Sequence, residues 1–421
     1  MRVPFVPAGE NSTEDHSGQS ERKIMSKIRT IDDLDVKGKR VLLRADLNVP
    51  MKDGQVTNAN RIDRTVPTVI ELADKGAKVI ILSHLGRPKG EKNPEFTLKP
   101  VAEAFAKACG RPVAFGTDCI GPDAEKVVNA MKNGDIAMLE NVRFYKQEEK
   151  NDADFAKKLA ALGDILVSDA FSCAHRAHAS VEAVARIIPA AAGRLMQAEL
   201  EALEGALEKP KKPVAAVVGG AKISTKMDVL GNLIQKVDVL IVGGAMANTF
   251  LMAQGVKVGK SLVEADMLDN ARAVMEKAKK AGCDIVLPKD AVVASEFKEG
   301  AKATTVALDA IPADQMILDV GPKSVEDLNK RLDGCKTLLW NGPLGAFEVK
   351  PFDTGTNAVA KHAADLTKKG SLLSVAGGGD TVSALKNAGA QKQFSYVSTA
   401  GGAFLEWMEG KILPGVAVLR G

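Results

Sequence analysis

Lys78-Val79-Ile80-Ile81-Leu82 runs straight into Ser83-His84-Leu85-Gly86-Arg87-Pro88. A short β-branched apolar run that stops at polar and turn residues reads as a strand buried on both faces. The same reading repeats along the first half of the chain. Val41-Leu42-Leu43 leads into Arg44-Ala45-Asp46-Leu47-Asn48, and Ile136-Ala137-Met138-Leu139 into Glu140-Asn141-Val142-Arg143. Ile165-Leu166-Val167 leads into Ser168-Asp169-Ala170-Phe171 and on to His178. In the second half the runs end differently. Val214–Val218 stops at Gly219-Gly220-Ala221-Lys222, Val239–Val242 at Gly243-Gly244-Ala245, and Ile285-Val286-Leu287 at Pro288-Lys289-Asp290. Thr337–Trp340 stops at Asn341-Gly342-Pro343, and Leu372–Val375 before Gly377-Gly378-Gly379-Asp380-Thr381. Helical stretches separate the runs. This alternation predicts an α/β fold with two doubly wound, Rossmann-like parallel-sheet domains. Ligands of such sheets lie beyond the carboxyl ends of the strands, where these unusual residues cluster.

Composition agrees with that class. Of 421 residues, 45% are hydrophobic and only 4% aromatic, so the core is built mainly from Val, Ile, Leu and Ala. That length suits two or three domains. A net charge of +4, without a long basic tract, argues against nucleic acid. No apolar run approaches the ~18 residues of a membrane span. The five cysteines, at 109, 119, 173, 283 and 335, are scattered and contain no Cys-x-x-Cys pair. They read as reduced thiols of a cytoplasmic protein, not as a disulfide framework or zinc site. Residues 1–24 are polar, include Glu10, Glu14, Asp15 and Glu21, and read as a disordered extension.

Residues 25–198 are expected to form the first domain and 214–403 the second. Between them, 199–213 would be a helix and hinge, ending in Lys209-Pro210-Lys211-Lys212-Pro213.

The loops of the first half carry fixed positive charge: Arg44, Arg61, Arg87, Arg143 and Arg176, with His84, His175 and His178. Guanidinium forks from successive strand ends would form a pocket for a small, multiply anionic ligand. Asp46 and Asn48 lie among them, either as an Asx turn or as acceptors for a substrate hydroxyl. The glycines of the second half would let backbone N–H groups approach phosphates. Lys222 and Lys226 would share a helix face if the helix starts at the glycine cluster. Asp380 is placed to hold magnesium. Known nucleotide signatures are missing: Gly255 leaves only three spacers before Gly259-Lys260-Ser261, and no dinucleotide fingerprint or protein-kinase loop is present. A polyanion pocket facing a nucleotide-phosphate site suits phosphoryl transfer. A dehydrogenase using NAD and a hinged metabolite-binding protein are the competing readings; neither explains both halves.

The ordered set of motifs resembles the phosphoglycerate kinase family. It comprises Arg44–Pro50, His84–Pro88, Glu140–Phe144, Ala174–His178, Gly219–Lys222, Trp340–Pro343 and Gly377–Thr381. The resemblance runs from about Met25 to the C-terminus. It implies that Asp46, Asn48, Arg61, His84, Arg87, Arg143 and Arg176 contact 3-phosphoglycerate or 1,3-bisphosphoglycerate. It implies that Lys226, Asn341, Glu348, Gly378, Gly379, Asp380 and Thr381 hold ADP or ATP, with Mg2+ at Asp380. Arg61, Lys222 and the backbone at Gly378 and Gly379 would stabilise the transferring phosphoryl group. It further implies a monomer, and a C-terminal segment, 404–421, that returns to the first domain. Three positions depart from the family pattern: Ser172-Cys173 replaces Gly-Thr, Ala245 stands where a third Gly is frequent, and Ala400–Phe404 is less Gly-rich.

Overall fold

The computed structural model describes residues 28–420; the reading of residues 1–24 lies outside them. Nine of the sequence-predicted runs become strands within a residue or two of their expected ends. The first half contains β1 (Arg40–Arg44), a small hairpin of β2 (Met51–Lys52) and β3 (Gln55–Val56), β4 (Lys78–Leu82), β5 (Val113–Gly116), β6 (Ile136–Leu139), β7 (Ile165–Ser168) and β8 (Ala190–Ala192). Six of these form a sheet of order β5-β6-β4-β1-β7-β8, parallel at every pairing. The central β1 pairs with β4 on one side and β7 on the other, so the loops bearing Asp46, His84 and Arg176 emerge at one end of the sheet.

The second half contains β9 (Val214–Val218), β10 (Val239–Val242), β11 (Asp284–Val286), β12 (Asp290–Ala294), β13 (Thr304–Ala307), β14 (Met316–Val320), β15 (Thr337–Asn341), β16 (Leu373–Gly377) and β17 (Tyr396–Ser398). Its main sheet has the order β11-β10-β9-β15-β16-β17 and is again wholly parallel. The central strands β6, β7, β9 and β15 are buried at every residue, as helices on both faces require. A separate antiparallel sheet, β13-β12-β14, is a whole sheet that the sequence did not announce.

A helix at Arg194–Leu203, continued by a π-turn at Glu204–Glu208, leads from β8 to β9. Its start is anchored by Arg194, which pairs with Asp32 and Glu71 at 2.6 Å each. The last residues return to the first half. The Gly415 N–H donates to the Ala174 carbonyl at 2.9 Å, and Ile28 bridges Arg420. Leu413, Val416 and Leu419 are almost wholly buried.

Asp319, on β14, is a buried carboxylate to which no cation among the described residues is bonded. It accepts the Gly355 N–H at 2.7 Å and the Val320 N–H at 2.8 Å. Burial lifts its pKa from the ordinary 3.8 to about 7, and Asp353 adds to the rise. A folded-state value above the unfolded one favours the protonated form on folding. This contribution is therefore fully present below the unfolded value and is lost as pH climbs to about 7. Asp319→Asn forfeits one backbone bond but cannot titrate, so its stability deficit should narrow as pH rises. Urea unfolding near pH 5 and pH 8 checks this; a deficit that widens with pH contradicts it.

Candidate active site

The basic half is assembled around Gly86, in the loop after β4. Its φ of +60° suits glycine, and a Cβ there would meet the Phe96 ring at 2.3 Å. Asn48 Oδ1 accepts the Gly86 N–H, and Arg143 Nη1 donates to its carbonyl, both at 2.9 Å. Two predicted ligand residues thus clamp the loop that carries two others, His84 and Arg87. Asp46 Oδ1 accepts the Asn48 N–H at 3.2 Å, so the Asx turn is present. The other oxygen, Oδ2, pairs with Arg61 and accepts the Ser172 hydroxyl. Asp46 therefore orients Arg61, which sits in the first turn of the Asn60–Asp74 helix. The departure at position 172 adds a hydroxyl to this cluster without removing charge. Arg87 and Arg176 are exposed, and among the described residues their side chains make no hydrogen bond or ion pair. Their donors face water and are available to an anion.

Arg44 requires a correction. It is 1% exposed, and its guanidinium is already used. Nε donates to Ser180 Oγ at 2.7 Å, Nη1 to the Ala45 carbonyl, and Nη2 lies 3.2 Å from His84 Nδ1. It supports the pocket from beneath. Burial and Arg44 hold the His84 pKa well below the usual imidazole range. His178 is lowered to about 4 by burial and by Arg143, so it is neutral near pH 7. His175 is also lowered, first by burial.

Donor atoms of Asp46, His84 and Cys173 lie within 4.8 Å of one another, a set that resembles a metal site. The surrounding chemistry favours an anion instead. Arg44 Nη2 occupies the His84 Nδ1 direction and lies 3.9 Å from Cys173 Sγ, while Arg61 holds Asp46. Burial raises the Cys173 thiol, which marks it as a packed and unreactive group.

The nucleotide half rests on two strand ends that touch. Gly219 N–H donates to the Asn341 carbonyl at 2.8 Å. Asn341 is a junction: Oδ1 accepts Lys226 Nζ at 2.5 Å, and Nδ2 donates to the Gly377 carbonyl at 2.8 Å. Thr381 Oγ1 accepts the Gly342 N–H at 2.7 Å. Gly378, at φ +97°, precedes the Gly379–Asn387 helix, whose first turn exposes Gly379 and Asp380. Three of the predicted nucleotide residues, Lys226, Asn341 and Thr381, are thus bonded into one frame, with Gly378, Gly379 and Asp380 in the adjoining turn. Two expectations change. The α-helix after β9 starts at Met227, behind a loop and a 3-10 turn, so Lys222 and Lys226 do not share a helix face. Lys222 is exposed in the loop, whereas Lys226 is half-buried with its pKa lowered by desolvation and drawn back by Asp380. Glu348 is exposed, and the described residues give its side chain no partner.

Sequence reading missed the contacts between the halves. Arg64 Nη1 donates to Thr399 Oγ1 at 2.6 Å and Nη2 to the Tyr396 hydroxyl at 3.3 Å. The Tyr396 hydroxyl donates to Glu199 Oε2 at 2.5 Å. These groups join the helix carrying Arg61, the connecting helix and the end of β17. Arg64, Glu199 and Thr399 line a cavity of about 60 Å³ together with Asp46, Arg61 and Asp169. No local motif signals such long-range pairing.

Two α/β lobes, one rich in arginine and one with a glycine-framed lysine site, define a bilobal phosphotransferase outside the P-loop and protein-kinase classes. Residues 31–411 match the family model described as phosphoglycerate kinase. The chain is 62% identical over 393 residues to a phosphoglycerate kinase of Granulibacter bethesdensis, covering 93% of this chain and 99% of that one. It is 62% identical over 395 residues to one of Bradyrhizobium diazoefficiens, at 94% and 99% coverage. The solved phosphoglycerate kinase of Coxiella burnetii superposes with a TM-score of 0.87 at 46% identity, covering 93% of this chain and 99% of that one. The chain belongs to the phosphoglycerate kinase family. Its reaction is the reversible glycolytic transfer of a phosphoryl group between 1,3-bisphosphoglycerate and ADP, giving 3-phosphoglycerate and ATP.

Proposed function

We propose a division of labour between the halves for this reaction. Residues 25–198 bind 3-phosphoglycerate or 1,3-bisphosphoglycerate through Asp46, Asn48, Arg61, His84, Arg87, Arg143 and Arg176. Residues 214–403 bind the nucleotide through Lys226, Asn341, Glu348, Gly378, Gly379, Asp380 and Thr381. Residues 199–213 act as the hinge, and 404–421 fasten the second half to the first. The observation that carries this reading is the placement of Arg87, Arg176 and Lys222. All three are exposed cations on loops that follow parallel strands β4, β7 and β9.

The chemistry explains the lack of a catalytic base. In the ATP-forming direction an ionised β-phosphate oxygen of ADP attacks the acyl phosphate. The P–O bond to the substrate carboxylate breaks, and the carboxylate leaves with its electron pair; no proton moves. What remains is to stabilise charge on the migrating group. Arg61, Lys222 and the N–H groups of Gly378 and Gly379 supply that charge, and closure about the hinge removes water. Asp380 fits Mg2+ carried by the nucleotide. Its exposed carboxylate has no hydrogen-bond or ion-pair partner among the described residues, as a hard cation that keeps several waters requires. When bound, the ion neutralises phosphate oxygens.

The same reading makes the protein a cytoplasmic monomer. No helix of the described residues is long and apolar enough to cross a membrane, and their five thiols are all unpaired.

A coupled assay tests the reading. NADH loss with glyceraldehyde-phosphate dehydrogenase should require 3-phosphoglycerate, ATP and magnesium together. Asp380→Asn should weaken magnesium-nucleotide binding by about tenfold, the loss of one charge-assisted contact, and leave 3-phosphoglycerate binding unchanged. Calorimetry with each ligand separates the two; an equal loss of both would overturn the role of Asp380.

A further inference from the structure

A buried polar chain runs beneath the anion pocket. Glu148, wholly buried, accepts the Ser180 N–H at 2.9 Å and the Ser180 hydroxyl at 2.6 Å. Ser180 Oγ in turn accepts Arg44 Nε–H at 2.7 Å. The hydroxyl has one proton, already given to Glu148, so only its lone pair can meet Arg44. Arg44 then reaches His84 Nδ1 at 3.2 Å. A guanidinium carries donors only. Nδ1 must therefore be the bare nitrogen, and the single proton of the neutral ring sits on Nε2. An imidazolium here would set two N–H donors against each other.

We propose that Glu148 and Ser180 are positioning residues: through Arg44 they fix His84 as the neutral Nε2–H tautomer, a permanent donor to the anionic glycerate substrate. The inference rests on the reading of the first half as the glycerate-binding domain. It gives a purpose to burying Glu148 and Arg44 at 0% and 1% exposure, an arrangement that costs desolvation and is weak evidence for stability by itself. It also separates His84 from the surface arginines. Arg87 supplies charge, whereas His84 supplies a directed dipole.

The test uses the full chain labelled with 15N-histidine. Two-bond 1H–15N spectra of the wild type should show His84, assigned by its loss in His84→Gln, as the Nε2–H tautomer. Ser180→Ala and Glu148→Gln should give mixed tautomers or a charged ring. Their KM for 3-phosphoglycerate should rise about tenfold, the loss of one oriented bond to an anion, with KM for MgATP unchanged. Ser180→Thr keeps the hydroxyl and should retain the wild-type tautomer. An Nδ1–H tautomer in the wild type would overturn the proposal, and this reading stands even if both variants fail to fold. So would folded variants with the wild-type spectrum and KM. Normal 3-phosphoglycerate binding by His84→Gln, with the expected tautomers, would instead overturn the placement of His84 in the pocket and leave the relay without a substrate role.

Discussion

Arg61→Ala is expected to lower kcat by several hundredfold, the range found when one preorganised transition-state donor is removed. Three features separate this from a stability effect. The side chain is 42% exposed, so its pairing with Asp46 contributes little to folding. Its backbone is held independently, in the first turn of the Asn60–Asp74 helix. Its loss leaves Asp46 with the Ser172 hydroxyl and the Asn48 N–H as partners. Melting temperature should therefore move little while turnover collapses. KM for MgATP should also stay close to normal, because the nucleotide frame lies in the other half. Steady-state kinetics in both directions measure this. Near-normal kcat would remove Arg61 from the reacting centre and leave it as a binding residue. Arg61→Lys should recover only part of the loss, since an ammonium keeps the charge but not the planar fork.

Gly219→Ala is expected to disable the nucleotide half by a steric route. Gly219 does not need a left-handed backbone; what it lacks is room. A Cβ there would lie 1.9 Å from the Pro343 carbonyl oxygen and 2.8 Å from the Gly342 carbonyl carbon. The crossing is reciprocal, since a Cβ on Gly342 would meet the Gly219 carbonyl oxygen at 2.2 Å. Both obstacles are backbone, so neither can swing aside. The ends of β9 and β15 must separate, which costs about 1–3 kcal/mol or more. Asn341 would move with β15, disturbing its bonds to Lys226 and Gly377 and the bond from Gly342 to Thr381. MgATP affinity should fall at least about tenfold for a distortion of that energy. Binding of 3-phosphoglycerate should persist. Calorimetry together with thermal unfolding checks both parts, and wild-type nucleotide affinity in a folded variant would contradict the steric account.

The central strands were legible because they are buried on both faces and so read as unbroken apolar runs. Val214–Val218, Val239–Val242, Lys78–Leu82 and Ile136–Leu139 appear at their expected bounds. The edge strands Val113–Gly116, Ala190–Ala192 and Tyr396–Ser398 were missed. They are short, and part of their surroundings is water or small side chains, so the apolar signal is weak. The β13-β12-β14 sheet escaped for a related reason: β13 is largely exposed, and β12 and β14 carry Asp290 and Asp319.

At the site, sequence identified the charged residues but not their depth. Arg44 closes β1 and Arg87 lies in the loop beyond β4, and one is buried while the other faces water. Burial there depends on Ser180 and Glu148, which lie more than a hundred residues away from Arg44 in the chain. The lysines show the opposite case. Both were visible, but the helix start that sets their relative direction depends on a loop conformation no spacing rule fixes.

The return of the C-terminal segment has a consequence for biosynthesis. Ala174 is bonded by Gly415, and Arg420 bridges Ile28 and reaches Glu204 at 2.8 Å. A ribosome therefore makes the second lobe before the segment that closes these contacts on the first. The first lobe, although translated first, gains these particular contacts only after the second lobe has been made. Part of the first lobe's packing is thus encoded downstream of the second.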